Sequence, residues 1–315
     1  MKQIFILVFG FITLNTNAQT SLKLYSSENS ELPENDIKSI LVETKSNKKY
    51  IGTSKLGLSI FDNSKFETLK EIKGEYIGPI YQDKIGNLWI TTSNPEELYI
   101  IKTDHKINKI ESKILKEING IIAIAEDKNG NLYFGGNGLV KFDGKNWTKI
   151  KLPSKPITIR ALDISPTNEI AIGHNEGLII GSEEKWQFYE EETNKLQLSV
   201  VRAVKFITPT KLIIGYGGGG FGNGGFSVKE NEHWKHYNKS NSKISDHMVR
   251  DIEVDKSNTA WMATNNGLIK FTKNGELTSI LFRDGIYKNT ILDISIDSEN
   301  TLWIATNFGI IQFKE

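Results

Sequence analysis

Asp297-Ser-Glu-Asn-Thr-Leu-Trp303-Ile-Ala-Thr306-Asn-Phe-Gly309-Ile closes the chain, and Asp255-Lys-Ser-Asn-Thr-Ala-Trp261-Met-Ala-Thr264-Asn-Asn-Gly267-Leu precedes it by 42 residues. The two segments align without a gap. Weaker copies run back to Tyr50-Ile-Gly-Thr53. Aligned on the central position, the column reads Tyr50, Trp89, Tyr133, Ala171, Ile213, Trp261 and Trp303, with steps of 39, 44, 38, 42, 48 and 42 residues. Short apolar segments recurring every 40 to 50 residues or so point to a radial array of four-stranded units.

The flanking columns agree. Three positions before the strand column stand Asn47, Gly86, Gly130, Asn168, Thr210, Asn258 and Asn300. All but Thr210 are Gly or Asn, the residues that best tolerate positive φ, as a tight hairpin turn requires. Six positions before it stand Thr44, Asp83, Asp127, Ser165, Ile207, Asp255 and Asp297, mostly short polar side chains that can bond a turn backbone. Two positions after it a small-residue column, Gly52, Thr91, Gly135, Gly173, Gly215, Ala263 and Ala305, lets neighbouring units approach near a narrow axis.

The expected fold is therefore all-β, a seven-bladed β-propeller of four-stranded antiparallel blades. The last repeat stops at Glu315 without an outer strand, and Leu22-Lys-Leu-Tyr25 has the spacing of one. The N-terminal strand is expected to complete the last blade and close the ring, removing the edges an open solenoid would carry. The propeller is expected over 19–315, with a signal peptide over 1–18. Lys2 precedes an apolar run of 11 residues from Ile4 to Leu14, too short to span a bilayer comfortably, and Thr16 and Ala18 fit a cleavage before Gln19.

Lys plus Arg number 39 against 38 Asp plus Glu, giving a net charge of +1. This removes any global electrostatic case for nucleic acid or an anionic membrane. With no cysteine there is neither a disulfide nor a lipoprotein anchor. An exported bacterial protein, periplasmic or secreted, monomeric and without a membrane span after cleavage, fits these features.

In a propeller, the loops entering the inner strands and those joining the second and third strands share one face, the usual ligand entrance. Inner strands begin near Lys38, Gly78, Ile122, Arg160, Arg202, Arg250 and Leu292. Arg160, Arg202 and Arg250 in one column can aim charge at a common funnel and grip carboxylates or hydroxyls. The plainer alternative is interblade pairing with Asp251 or Asp293. His174 replaces the Thr found at Thr53, Thr92, Thr264 and Thr306 and is expected to face the funnel. With His247 it could form a general base. Tyr216-Gly-Gly-Gly-Gly-Phe221-Gly-Asn-Gly-Gly225 lacks the Lys-Ser/Thr and helix of a phosphate loop. It reads as a hairpin lengthened by six residues, with Tyr216 and Phe221 as stacking rings. The candidate ligand-binding residues are thus Arg160, Arg202, Arg250, His174, Tyr216 and Phe221. No catalytic residue, metal ligand or cofactor is assigned: the five histidines lack zinc spacing, and the Asp-x-x-Gly-Asn turns lack a calcium loop.

Asp127-Lys-Asn-Gly-Asn-Leu-Tyr-Phe-Gly-Gly, the closing segment and Ser245-Asp-His-Met-Val-Arg-Asp-Ile252 resemble the two-component regulator propeller repeat, over roughly Ser21 to Glu315. The resemblance implies a periplasmic sensor propeller, of the kind that in hybrid histidine kinases is linked to glycan fragments. A single propeller fills this sequence, so no kinase is expected within it. The expected function is an exported binding module for a carbohydrate or protein partner. The alternatives are a propeller lyase or hydrolase acting at the funnel, and a non-catalytic scaffold of a cell-envelope complex.

Overall fold

A computed structural model describes residues 20–72, 75–153, 157–191, 195–217, 224–282 and 290–315. The expected signal peptide and Phe221 lie outside them. Seven four-stranded antiparallel sheets form the blades of a β-propeller. Their inner strands are Ile37–Val42, Tyr76–Gln82, Ala123–Glu126, Ile159–Ile164, Val201–Thr208, Val249–Val254 and Ile291–Ile296. Each is followed by two middle strands and an outer one. In blade 7 the outer strand is Ser21–Tyr25, which pairs Leu22 with Phe313 and Tyr25 with Ile310. The ring closes as the spacing of the two ends predicts.

In six of the seven blades the inner strand is joined to the second by a turn whose chemistry was visible in the columns. Asn47, Gly86, Gly130, Asn168, Asn258 and Asn300 all have positive φ, from 57° to 102°. Asp83 accepts the N–H groups of Gly86 and Asn87 through Oδ1, at 2.9 and 2.7 Å. Its other oxygen accepts the indole N–H of Trp89 at 2.9 Å. Asp255 and Asp297 hold Trp261 and Trp303 in the same way, each at 3.1 Å. One carboxylate thus fixes both the turn and the aromatic that follows, satisfying a buried donor that would otherwise be costly.

Blades meet through a repeated size match. An ideal Cβ on Gly52 would come 2.7 Å from Ile77 Cγ2, one on Gly135 2.7 Å from Ile159, one on Gly173 2.6 Å from Val201 and one on Gly215 2.6 Å from Val249. A β-branched residue at the start of each of these inner strands therefore sits on the bare backbone of the preceding blade. Ile77, Ile159, Val201 and Val249 are fully buried. At the other seams the match is softer: Ala263 shares a core cluster with Ile291, and Ala305 with Ile37. Blade 2 carries Thr91 at the small position, and Ile121 beside it is only partly buried.

The seam between blade 7, which holds both chain ends, and blade 1 has an added aromatic knot. Tyr25, Phe61, Phe66 and Trp303 pack with centroids 4.5 to 5.9 Å apart. Lys49 is buried there, at 1% exposure, at a position where the other repeats carry Leu, Ile or Ala. Its ammonium lies 4.1 Å from the Trp303 ring centroid and bonds Asn63. Burial lowers the Lys49 pKa, with Asp297 and Glu299 opposing. The ring face and the amide oxygen together replace the water that a buried ammonium loses.

Two outcomes test this packing. Gly173→Ala should cost about 1–3 kcal/mol in denaturant unfolding, the range for overpacking a tight core. Combining it with Val201→Ala should cost less than the sum of the two single changes. Removing residues 19–30 should bare the Gly309–Lys314 strand and lower the melting temperature or cause association. A truncated protein that melts like the full chain and stays monomeric would contradict closure by the N-terminal strand.

Candidate binding site at the channel mouth

The inner strands surround an axial channel of about 1560 Å³. Its upper mouth is the end where these strands begin. In blades 1, 4, 5, 6 and 7 the pairing of the inner strand skips one residue: Lys38, Arg160, Arg202, Arg250 and Leu292. The residue before each skip is the β-branched plug seated on the preceding blade. The skipped residue is a β-bulge, and a bulge re-aims its side chain out of the ladder. Lys38 and the three arginines line the channel. The sequence expectation that Arg160, Arg202 and Arg250 share one sector of the mouth agrees with this geometry.

The three arginines are held differently. Arg160 Nε donates to Asn175 Oδ1 and Arg250 Nε to Asn265 Oδ1, both at 2.8 Å. These asparagines come from the hairpin between the second and third strands of the same blade. Arg202 has no such asparagine, because Gly217 stands at the equivalent place. An ideal Cβ on Gly217 would come 2.1 Å from Arg202 Cδ, so the bare backbone is what admits the arginine stem. Among the described residues, buried Arg202 Nε has no hydrogen-bond partner. Burial lowers the Arg202 pKa, and the charges of Arg160 and Arg250 lower it further. Burial also lowers that of Arg250, against Asp246. Only four of the 39 basic residues are arginine, and three of those stand here. In a lysine-rich chain this concentrates the planar, bidentate donor at one place.

Asp251 and Asp293 do not pair with the arginines. Asp251 Oδ2 accepts the N–H of Ile294 at 3.1 Å, and Asp293 Oδ2 that of Ile40 at 2.7 Å. Each carboxylate caps the open edge of the next blade's inner strand. Asp163 does the same for Phe206 at 2.6 Å and Ser295 for Val42 at 2.9 Å. These caps satisfy backbone donors that a ring of inner strands leaves unpaired.

Below the mouth the channel turns acidic. Lys205 and Glu253 form an ion pair of 3.1 Å. Burial alone would lower the Lys205 ammonium, but Glu253, Asp163 and Asp251 outweigh it and hold it above the ordinary lysine value. Burial raises Glu253 and Asp163 despite Lys205. Burial and the hydrogen-bonded Asp251 raise Asp293 well above a normal carboxylate. Sequence reading passed over this layer. Its signal was present three positions after the arginines, where Asp163, Lys205 and Glu253 interrupt a column otherwise filled by Leu41, Tyr81, Ala125 and Ser295.

The remaining expected ligands are elsewhere. His174 and Tyr216 end the second strands of blades 4 and 5, one strand away from the axis, so their side chains enter the interblade core. His174 is 1% exposed and Tyr216 0%. The column they occupy is a hairpin clamp: Thr53, Thr264 and Thr306 donate to the Gly57, Gly267 and Gly309 carbonyls at 2.7 to 2.9 Å. His174 Nδ1 takes over a related task by accepting the Glu176 N–H at 3.1 Å. Tyr216 Oη pairs with Ser227 Oγ at 2.7 Å, which meets His236 Nδ1 at 2.6 Å. Burial pushes the Tyr216 phenol up to about 12. The expected funnel-facing histidine and stacking tyrosine are thus core residues, and His174 and His247 do not line the channel together. Among the described residues no group of three His, Asp or Glu side chains could hold a metal ion.

Burial depresses the His174 imidazole from 6.5 to about 4, against Glu176. A depressed folded-state value gives stability that is present above the unfolded pKa and lost as pH falls through the folded one. His174→Thr, the residue of the other repeats, removes this loss. The stability of the variant relative to the parent should therefore rise as pH falls from about 6.5 to about 4. A difference independent of pH in urea unfolding would show that the imidazole is not held neutral.

Comparison with known proteins agrees with the architecture. Among curated proteins none matches the sequence. The virginiamycin B lyase structure from Staphylococcus aureus is 14% identical, with a TM-score of 0.76 over 94% of this chain and 100% of that one. The extracellular domain of the hybrid two-component system BT4673 from B. thetaiotaomicron is 17% identical, with a TM-score of 0.56. That match covers 88% of this chain and 45% of that one. PorZ, a surface component of the type-IX secretion system of Porphyromonas gingivalis, is 16% identical, with a TM-score of 0.63 over 89% and 46%. At these identities the likeness is one of fold. No helix among the described residues is long and apolar enough to cross a membrane. Residues 117–138 match the family model described as two component regulator propeller. One segment of the chain, residues 117–138, thus matches a two component regulator propeller repeat, within a closed ring of seven blades.

Proposed function

We propose that this chain is an exported binding module that takes a carbohydrate or protein partner at the upper channel mouth through the partner's anionic groups. The observation that carries the reading is the cluster of Arg160, Arg202 and Arg250 lining the mouth, with Arg202 lacking the asparagine that ties the other two. A guanidinium lining a channel beside two like charges is relieved by an external carboxylate, phosphate or sulfate. The extracellular domain of a two-component system among the fold relatives supports a recognition role. The lyase relative supports only the shape, since neither His174 nor His247 lines the channel to act as a base.

The test is a screen of acidic oligosaccharides and candidate envelope proteins against the parent and Arg202→Ala. Loss of a charge-assisted bond of about 1.5–3 kcal/mol should weaken binding by about 10- to 100-fold, with little change in melting temperature. A ligand held equally by both proteins would place the site elsewhere.

Export rests on the N-terminal segment, Lys2 followed by the Ile4 to Leu14 run and small residues at Thr16 and Ala18. Mass spectrometry of the protein from its native host should find Gln19, free or cyclised, as the first residue. Intact Met1 in a membrane fraction would refute cleavage.

A further inference from the structure

We propose that the mouth recognises the free C-terminal end of a peptide or protein, with its carboxylate on Arg202 between Arg160 and Arg250 and a terminal apolar side chain on the wall of blades 2 and 3. This rests on the reading of the mouth as the binding site and narrows it to one class of partner.

In a seven-bladed ring, blade 2 lies across the axis from blades 5 and 6. The channel there is lined by Tyr76, Pro79, Leu115, Ile121 and Ile122, with Glu96, Glu97, Lys109, Glu111, Lys113 and Lys116 among them. Tyr76 is 41% exposed and Ile122 36%, among the most exposed large apolar side chains of the molecule. The mouth therefore sets a cationic arc across from exposed apolar side chains that stand among polar ones. A ligand that suits both carries an anionic group and carbon-rich surface a short distance apart, as the last residues of a peptide do. Tyr216, one of the rings that favoured sugar stacking, is buried.

Ala161 and Ala203 follow the Arg160 and Arg202 bulges, leaving room beneath the guanidiniums. Asp251 and Asp293 stand level with these alanines in blades 6 and 7, and deeper in the channel Asp163 and Glu253 face the ammonium of Lys205. A carboxylate descending past the mouth would meet like charge in a confined space, which is unfavourable. The anionic group is held at the rim and the chain leads outward, which is the geometry of a terminus rather than of an internal acidic residue.

The experiment is an array of hexapeptides randomised at the last four positions, printed once with free C-terminal carboxylates and once as C-terminal amides. Polygalacturonate is printed beside them. The parent protein should bind free-acid peptides ending in apolar residues, and their amides about tenfold or more weakly. Arg202→Ala should lose the free-acid preference. Ile122→Asn should lose the apolar preference while keeping the carboxylate preference. Melting curves of both variants report folding, and Arg202→Gln, which keeps the stem against Gly217, serves if Arg202→Ala is unstable. Equal binding of acids and amides, or no peptide binding, overturns the inference. If polygalacturonate alone binds and Arg202 variants lose it, the mouth stands as the site and the peptide class falls. If neither probe binds, both readings fall.

Discussion

The contact on which the rest depends is the seating of a β-branched side chain on bare backbone at the blade seams. Ile77, Ile159, Val201 and Val249 each occupy space that a Cβ on Gly52, Gly135, Gly173 or Gly215 would fill. Seven sheets can converge on an axis only where their inner ends are thin. The glycine column supplies the thinness and the β-branched column fills it in a stiff rotamer. Because every blade touches only its neighbours, the ring is as strong as its seams. The seam between blades 7 and 1, beside the blade in which the two chain ends are joined only by hydrogen bonds, is the one reinforced by Lys49 and four aromatic rings.

The same seating creates the candidate site. Once the plug residue is turned outward into the neighbouring blade, the strand must recover its register, and it does so by bulging the next residue. That residue is thrown into the channel mouth. In blade 7 it is Leu292, in blade 1 Lys38, and in blades 4 to 6 arginine. Packing and binding are thus coupled at adjacent positions: Ile159 with Arg160, Val201 with Arg202, Val249 with Arg250. Below them the edge-capping carboxylates satisfy the inner strands and also charge the channel, so the mouth and the shaft have opposite polarity.

Much of this was legible in the residues. The blade number, the ring closure and the positive-φ turns followed from period and from Gly and Asn at fixed offsets, because those constraints are local. The arginine column followed from the same register. What was misjudged was direction. His174 and Tyr216 stand in a column that ends the second strand, and reading it as funnel-facing ignored that the second strand is screened from the axis by the first. The threonines of that column bond carbonyls of their own hairpins, a task invisible in spacing alone. The pairing of Asp251 and Asp293 with the next blade, rather than with the arginines, is likewise a contact between residues far apart in sequence. Repeat periodicity gives each blade's register but not which neighbour a side chain reaches.

The most direct measurement uses the scarcity of arginine. With only four in the chain, their side-chain Nε–Hε resonances can be resolved and assigned by substitution. Titration with acetate, the simplest carboxylate, reports where an anion settles. The account predicts that the Arg202 resonance shifts saturably. Those of Arg160 and Arg250, already bonded to Asn175 and Asn265, should shift less. An Arg202 resonance that stays fixed, or four that drift together with ionic strength, would contradict a built anion site at the mouth.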